Sequence, residues 1–334
     1  MKTQDTYEKY LIEEFYDDYR EGLISRRTFI RRVAFITGSM TATTLAMTVV
    51  GCTPAELPSP TEPMPEPSPQ PPTAAATAAA SAGATATTPS STPTGPRSPL
   101  SVADGDPAVK GAMVTFPGEG AEISAYLAQP AAAGVYPAVL VCHENRGLTD
   151  HIKDVARRFA KAGYVALAID LLSREGGTAS RDRDEVPGLL TNAGIDRHVG
   201  DFIAGFKYLQ GLDFVDAKRI GMTGYCFGGG VTWQVATKLP DLKAAVPFYG
   251  PTPDLAQVPN IKAAVLGVYA ELDTRITGSK DALDKALTAA GVTHQMNVYP
   301  GVNHAFHNDT GDRYVEAQAT KAWNDTLDWF KTYL

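Results

Sequence analysis

The chain has 334 residues, with 37 acidic and 30 basic side chains, a formal net charge of −7 and three cysteines. This balance offers no basic surface for a nucleic-acid backbone, and three cysteines do not make a disulfide scaffold. No Cys/His cluster at metal-ligand spacing, no phosphate-binding G-x-G-x-x-G and no repeat is found, so no metal and no cofactor is expected.

In chain order, Thr6 to Gly22 reads as an amphipathic acidic helix. Ser25-Arg26-Arg27-Thr28-Phe29-Ile30 is a twin-arginine export motif. The moderately apolar stretch that follows, Val33 to Val50, is interrupted by threonines and Gly38, and is too polar and short for a membrane span. It ends in Val49-Val50-Gly51-Cys52, which resembles a bacterial lipobox in which Cys52 becomes the lipidated first residue. Residues 1–52 are therefore expected to be a signal and lipobox segment. The competing reading is an ordinary charged helix with an incidental thiol. Residues 53–106 are dominated by Pro, Thr, Ala and Ser and lack the apolar content to fold, so a disordered tether is expected. The expectation is a monomer exported by the twin-arginine route, facing the periplasm or cell exterior and touching the membrane only through its lipid anchor.

Residues 107–334, roughly 230 of them, suit one domain with a sizeable core. Short strands are expected near Ala112–Phe116 and Glu122–Ala128. Strand Tyr136–Cys142, helix Asp150–Ala162 and strand Val165–Asp170 follow, then an insert, Leu171 to Leu190, carrying Arg174, Arg181 and Arg183. The insert reads as a cap or substrate-lining loop, or as a solvated surface loop. Beyond it come helix Asn192–Leu212, a strand near Arg219–Thr223, a small-residue helix to about Leu239, and strands Ala244–Tyr249, Ala263–Tyr269 and His294–Tyr299. A helix spans about Ser279 to Ala290, and a last one Tyr314–Leu334. Alternating strands and helices predict a mostly parallel, doubly wound sheet with helices on both faces.

Gly224-Tyr225-Cys226-Phe227-Gly228 falls where the 219–223 strand turns into a helix. G-x-nucleophile-x-G at such a junction is the nucleophile elbow of the α/β-hydrolase fold. Its glycines permit a turn so sharp that the central side chain is lifted clear of the sheet. That side chain is a thiol at a helix N-terminus, which favours thiolate. The order nucleophile, acid, histidine is then completed by Asp273, beyond the end of one strand, and His304, in the Gly-containing loop after the last. In these roles Cys226 attacks, His304 moves the proton and Asp273 fixes the imidazole tautomer.

Together with Val141-Cys142-His143-Glu144-Asn145-Arg146-Gly147 and Pro300-Gly301-Val302-Asn303-His304-Ala305-Phe306, the elbow resembles the dienelactone hydrolases (carboxymethylenebutenolidases) over roughly residues 108–334. The resemblance implies an α/β-hydrolase fold and a thiol-dependent hydrolase of small esters or lactones. It implies that Glu144 contacts the resting thiol, and that the N–H groups of Phe227 and Asn145 form the oxyanion hole. Arg146 is a candidate substrate contact. Where well-known members carry a substrate-binding arginine after the histidine, this chain has His307 and Asn308, and the nearest arginine is Arg313. A non-catalytic surface lipoprotein using the fold as a binding module is the alternative; a chain relieved of catalysis is free to lose one of the four site residues.

Overall fold

The computed structural model describes residues 2–38 and 97–334. An eight-stranded sheet runs in the order β1-β2-β4-β3-β5-β6-β7-β8. The strands are β1 Val109–Gly118, β2 Ala121–Pro130, β3 Tyr136–Cys142, β4 Val165–Ile169, β5 Val215–Tyr225, β6 Ala244–Phe248, β7 Ala264–Ala270 and β8 His294–Tyr299. β1 and β2 form an antiparallel hairpin, β2 joins β4 antiparallel, and every later pairing is parallel. β3, β4, β6 and β7 are largely buried apolar runs, as expected of strands covered on both faces.

The helices are α1 Lys2–Arg20, α2 Arg26–Thr37, α3 Asp150–Lys161, α4 Val186–Ala193, α5 Ile195–Gln210, α6 Phe227–Lys238, the short α7 Thr274–Thr277, α8 Lys280–Ala289 and α9 Glu316–Tyr333. Side chains alternate across a strand, and β5 shows what lies on each side. A Cβ on Gly221 would meet Phe330 of α9, whereas one on Gly224, three positions on, would meet Thr232 of α6. α3 joins α9 on its face through Phe159, Trp323 and Phe330. α5 joins α6 on the other, His198 standing edge-on to Phe227. This is the α/β-hydrolase arrangement.

The expected helix Asn192–Leu212 is α5, which starts at Ile195 after Gly194 at φ 83°, and the end of the expected insert forms a helix of its own, α4. The rest of the insert is structured too: Arg174 pairs with buried Asp201, and Asp170 accepts from the backbone and hydroxyl of Thr178. Residues 97–106, read as the end of the tether, lie against the domain. The Ser98 N–H donates to Asp309 and that of Val102 to Asp154.

The N-terminal helices also pack into the core. Tyr7, Leu11, Phe15, Phe29, Val33 and Ile36 are buried. Arg32 pairs with Asp184 and lies over the Phe15 ring, while Arg26 and Arg27 stay exposed. Among the described residues, no helix is long and apolar enough to cross a membrane. Cys52 and most of the tether lie outside the described residues.

Candidate active site

Cys226 sits between β5 and α6 with φ 59° and ψ −121°. A non-glycine side chain at positive φ is strained and is held only where its surroundings dictate it. They do so here. A Cβ on Gly228 would come 2.4 Å from the His143 carbonyl, and one on Gly224 would come 2.2 Å from that of Gly228. Both obstacles are backbone, so neither can swing aside. The Cys226 N–H is held by the Phe248 carbonyl at 3.1 Å.

Asp273 follows β7 and His304 follows β8, so parallel β7–β8 pairing brings both to one end of the sheet. His304 Nδ1–H donates to Asp273 Oδ2 at 2.6 Å. Ala305, at φ 62°, turns the loop directly after the imidazole, and Tyr249 stands edge-on to the ring at 4.9 Å. Burial alone would push the imidazole pKa down, but Asp273 and Glu14 more than offset it and the net direction is up. For Asp273 burial pulls up, and the His304 charge and hydrogen bond, with Arg275, bring the net direction down. His304 Nε2 is buried without a hydrogen-bond partner.

The carboxylate at the thiol comes from α1. Both Glu14 carboxylate oxygens lie 3.4 Å from Cys226 Sγ, and the Tyr10 hydroxyl donates to the same sulfur at 3.3 Å. Glu14 also accepts from Asn145 Nδ2 at 2.8 Å and stands 3.8 Å from His304 Nε2. Burial, then Glu14, then Glu144 push the Cys226 thiol well above its ordinary pKa.

Glu144, expected at the thiol, accepts instead from Asn308 Nδ2 at 2.6 Å. Among the described residues, the carboxylate hydrogen-bonded to the sulfur is that of Glu14. The N–H of Asn145 points at the thiol, where a donor favours negative charge on a bound atom. Phe227 is the first residue of α6, so its N–H has no partner further up the helix.

The site opens into a cavity of about 480 Å³, lined by Glu14, Glu144, Arg146, Cys226, His304 and Arg313 among others. A second cavity of about 400 Å³ shares Glu144, Arg146 and Arg183 with it and adds Arg181. The neighbouring Arg146 cation, burial and Arg32 hold the Arg183 pKa down, which marks a concentration of positive charge on this wall. The insert arginines Arg181 and Arg183 thus join Arg146 at the site. Glu14 and Tyr10 were not expected there. The acidic helix around them carried no motif, and its apolar face was the only signal that it packs on anything.

One donor atom each from Glu14, Cys226 and His304 lies within 4.8 Å of the other two. A thiol, an imidazole and a carboxylate suit a borderline-soft cation such as Zn²⁺. Sequence spacing could not reveal this set, because its members lie on three distant segments.

The sheet order, the elbow and the acid–histidine pair define an α/β-hydrolase. The sequence pattern of the dienelactone hydrolase family matches residues 123–334, so the chain belongs to that family and is a hydrolase acting on ester bonds. It is 36% identical over 233 residues to a protein of Methylorubrum extorquens provisionally named carboxymethylenebutenolidase, covering 66% of this chain and 80% of that one. A protein of the same provisional name from Escherichia coli K12 is 34% identical over 260 residues, 71% of this chain and 93% of its own. The crystal structure of a provisionally named dienelactone hydrolase from Klebsiella pneumoniae superposes with a TM-score of 0.63 at 32% identity, over 68% of this chain and all of that one.

Proposed function

We propose that the chain hydrolyses small esters or lactones through a Cys226–His304–Asp273 triad and an acyl-enzyme intermediate. His304 Nε2 takes the Cys226 proton, and the thiolate attacks the carbonyl carbon. The oxyanion is met by the N–H groups of Phe227 and Asn145. As the intermediate collapses, the C–O bond breaks and His304 returns the proton to the leaving alcohol, which in a lactone stays on the same molecule. Water, deprotonated by His304, then attacks the thioester, releasing a carboxylate and the thiol.

The observation that carries this reading is the 2.6 Å His304–Asp273 hydrogen bond beside a thiol held at positive φ on a helix N-terminus. Arg146, Arg181 and Arg183 on one wall favour a substrate bearing an anionic group. The test is a hydrolysis panel of lactones, aryl esters and short acyl esters, with and without a carboxylate, followed by mass spectrometry for an acyl adduct on Cys226. No hydrolysis of any member by well-folded protein would favour the binding-module alternative. We further propose twin-arginine export and lipidation at Cys52, on the Ser25–Ile30 motif and the Val49–Cys52 segment.

A further inference from the structure

We propose that α1 is a tethered inhibitor of the catalytic site, with Glu14 standing where the carboxylate product of hydrolysis would lie. This rests on the thiol-hydrolase reading. Ester hydrolysis leaves a carboxylate against the nucleophile, the histidine and the oxyanion-side residue. Glu14 lies among that set: Sγ at 3.4 Å, His304 Nε2 at 3.8 Å and, through its side-chain amide and not its N–H, Asn145 at 2.8 Å. Tyr10 takes up a second position at the sulfur, its hydroxyl donating to it at 3.3 Å. A substrate carbonyl and the Glu14 carboxylate cannot occupy this position together.

The helix is built to stay there. Tyr7 packs edge-on against Phe227 of the elbow helix, and a Cβ on Gly230 would stand 2.7 Å from the Tyr7 hydroxyl. Leu11 and Phe15 are buried beneath it. Its polar side is fixed at both flanks. Arg275 donates to the Tyr10 carbonyl and lies 4.7 Å above the Tyr10 ring, while Arg313 pairs with Asp18 and Glu21 at 2.8 Å each. Asn303, next to the catalytic histidine, donates to Glu21 at 2.9 Å.

The inhibition is also electrostatic. Forming thiolate beside a fixed carboxylate places two negative charges in contact, which favours the unreactive thiol. The sequence supplies a means of release. Cleavage before Cys52, as the lipobox expectation implies, would sever residues 2–38 from the 97–334 domain. Arg26 and Arg27, exposed on the docked helices, would remain open to recognition beforehand.

The experiment uses the full chain and two readouts: hydrolysis of p-nitrophenyl acetate, and the rate of iodoacetamide labelling at Cys226 followed by mass spectrometry. Two double variants displace α1 differently. Tyr10→Ala/Glu14→Ala removes the groups at the sulfur; Leu11→Asp/Phe15→Asp disrupts the buried face away from it. A site open only a few per cent of the time loses its activity in that proportion, so both variants should raise both rates about tenfold or more. Unchanged labelling would overturn the proposal. So would hydrolysis that fails to rise with labelling, and a fall in hydrolysis would make Glu14 a catalytic group. The Cys226→Ala variant separates the two readings. Hydrolysis persisting in it would remove the thiol-hydrolase mechanism, while the labelling rates of the other variants would still report whether α1 covers the thiol.

Discussion

Glu14 and Cys226 stand 212 positions apart in the chain, yet both Glu14 carboxylate oxygens lie 3.4 Å from the Cys226 sulfur. Burial raises the thiol pKa most, and Glu14 adds to it. Glu14→Gln keeps the shape and removes the charge. The pH profile of Cys226 alkylation should therefore move to lower pH, while the thiol stays above its ordinary value because burial remains. An unmoved profile would show that Glu14 does not control the ionisation. The carboxylate is affected in turn. Burial pushes its pKa up, but His304 and Arg275 bring the net direction below the ordinary value. A depressed carboxylate favours the docked state above its ordinary pKa and loses that contribution as the pH falls through the lowered one. Docking of α1 should thus weaken in acid, seen as lower amide-exchange protection, relative to the intrinsic rate at each pH, in Leu11 to Phe15.

Removing a member of the proposed triad gives the second prediction. Cys226→Ala should lower kcat by about 10⁴–10⁶-fold with the fold intact, as loss of a covalent nucleophile does. Asp273→Asn should lower it by roughly 10³–10⁴-fold, because the imidazole then favours the wrong tautomer. The paired measurement is steady-state hydrolysis and circular dichroism on each variant. Full activity in Cys226→Ala, with an acyl adduct on Cys142, would reassign the nucleophile.

The elbow itself gives the third. A Cβ at Gly228 meets the carbonyls of His143 and Cys142 at 2.4 and 2.7 Å. Either the elbow or the end of β3 must move, and β3 leads into Asn145. Gly228→Ala should therefore cost about 1–3 kcal/mol of stability, in line with other overpacking changes. It should also lower kcat more than it raises KM. Wild-type melting and turnover would mean that the backbone relaxes freely there.

Much of this arrangement was legible in the sequence. The elbow is a local pattern whose spacing enforces its geometry. Asp273 and His304 could be found because each follows a long apolar strand, and parallel strands end on one side of a sheet. Cys142 pairs with Gly224 across β3 and β5, and both thiols are free. The role of α1 was not legible. A helix that docks on a distant surface leaves only amphipathic periodicity, which says that it has a buried face and not what it buries. The contact of Glu144 with the thiol rested on resemblance alone, and resemblance carries no information about a carboxylate arriving from elsewhere. The exchange of Glu144 onto Asn308 depends on a loop contact between residues 164 positions apart. The boundary near residue 106 failed for a similar reason: Ser98 and Val102 are fixed through backbone N–H groups, which any residue supplies.

The fourth prediction concerns a buried ion cluster behind the site. Arg158 joins Asp154 and Asp309, His151 approaches Asp309 at 2.9 Å, and the Ser98 N–H donates to Asp309. Burial pulls the Asp309 pKa up, but the close His151 ring and the Arg158 charge hold it far below the usual carboxylate range. Asp309→Asn removes one of the two carboxylates on buried Arg158 and leaves Asp154, so it should cost less than leaving a buried charge unpaired, which costs about 3–5 kcal/mol. Thermal unfolding at neutral pH should show it. In the wild type this contribution is present above the ordinary carboxylate range and is lost as the pH falls through the lowered pKa, so the variant and the wild type should converge in acid.

The last prediction concerns export and the two thiols together. The twin-arginine route carries folded proteins, so Cys142 and Cys226 would be buried in the reducing cytoplasm before meeting an oxidising compartment. Cys142 and Gly224 are partners across adjacent strands, which puts the two cysteines on neighbouring strand ends. A chain that folded outside would risk joining them. Wild-type protein should fractionate with the membrane, label with palmitate at Cys52 and retain two free thiols in the 97–334 domain. Arg26→Lys/Arg27→Lys should hold the protein in the cytoplasm, folded. Because Arg26 and Arg27 are exposed while Arg31 and Arg32 pair with Asp182 and Asp184, the exchange should leave α1 and α2 docked. Soluble cytoplasmic wild-type protein that keeps residues 1–51 would rule out export and leave α1 and α2 as a permanent part of the domain.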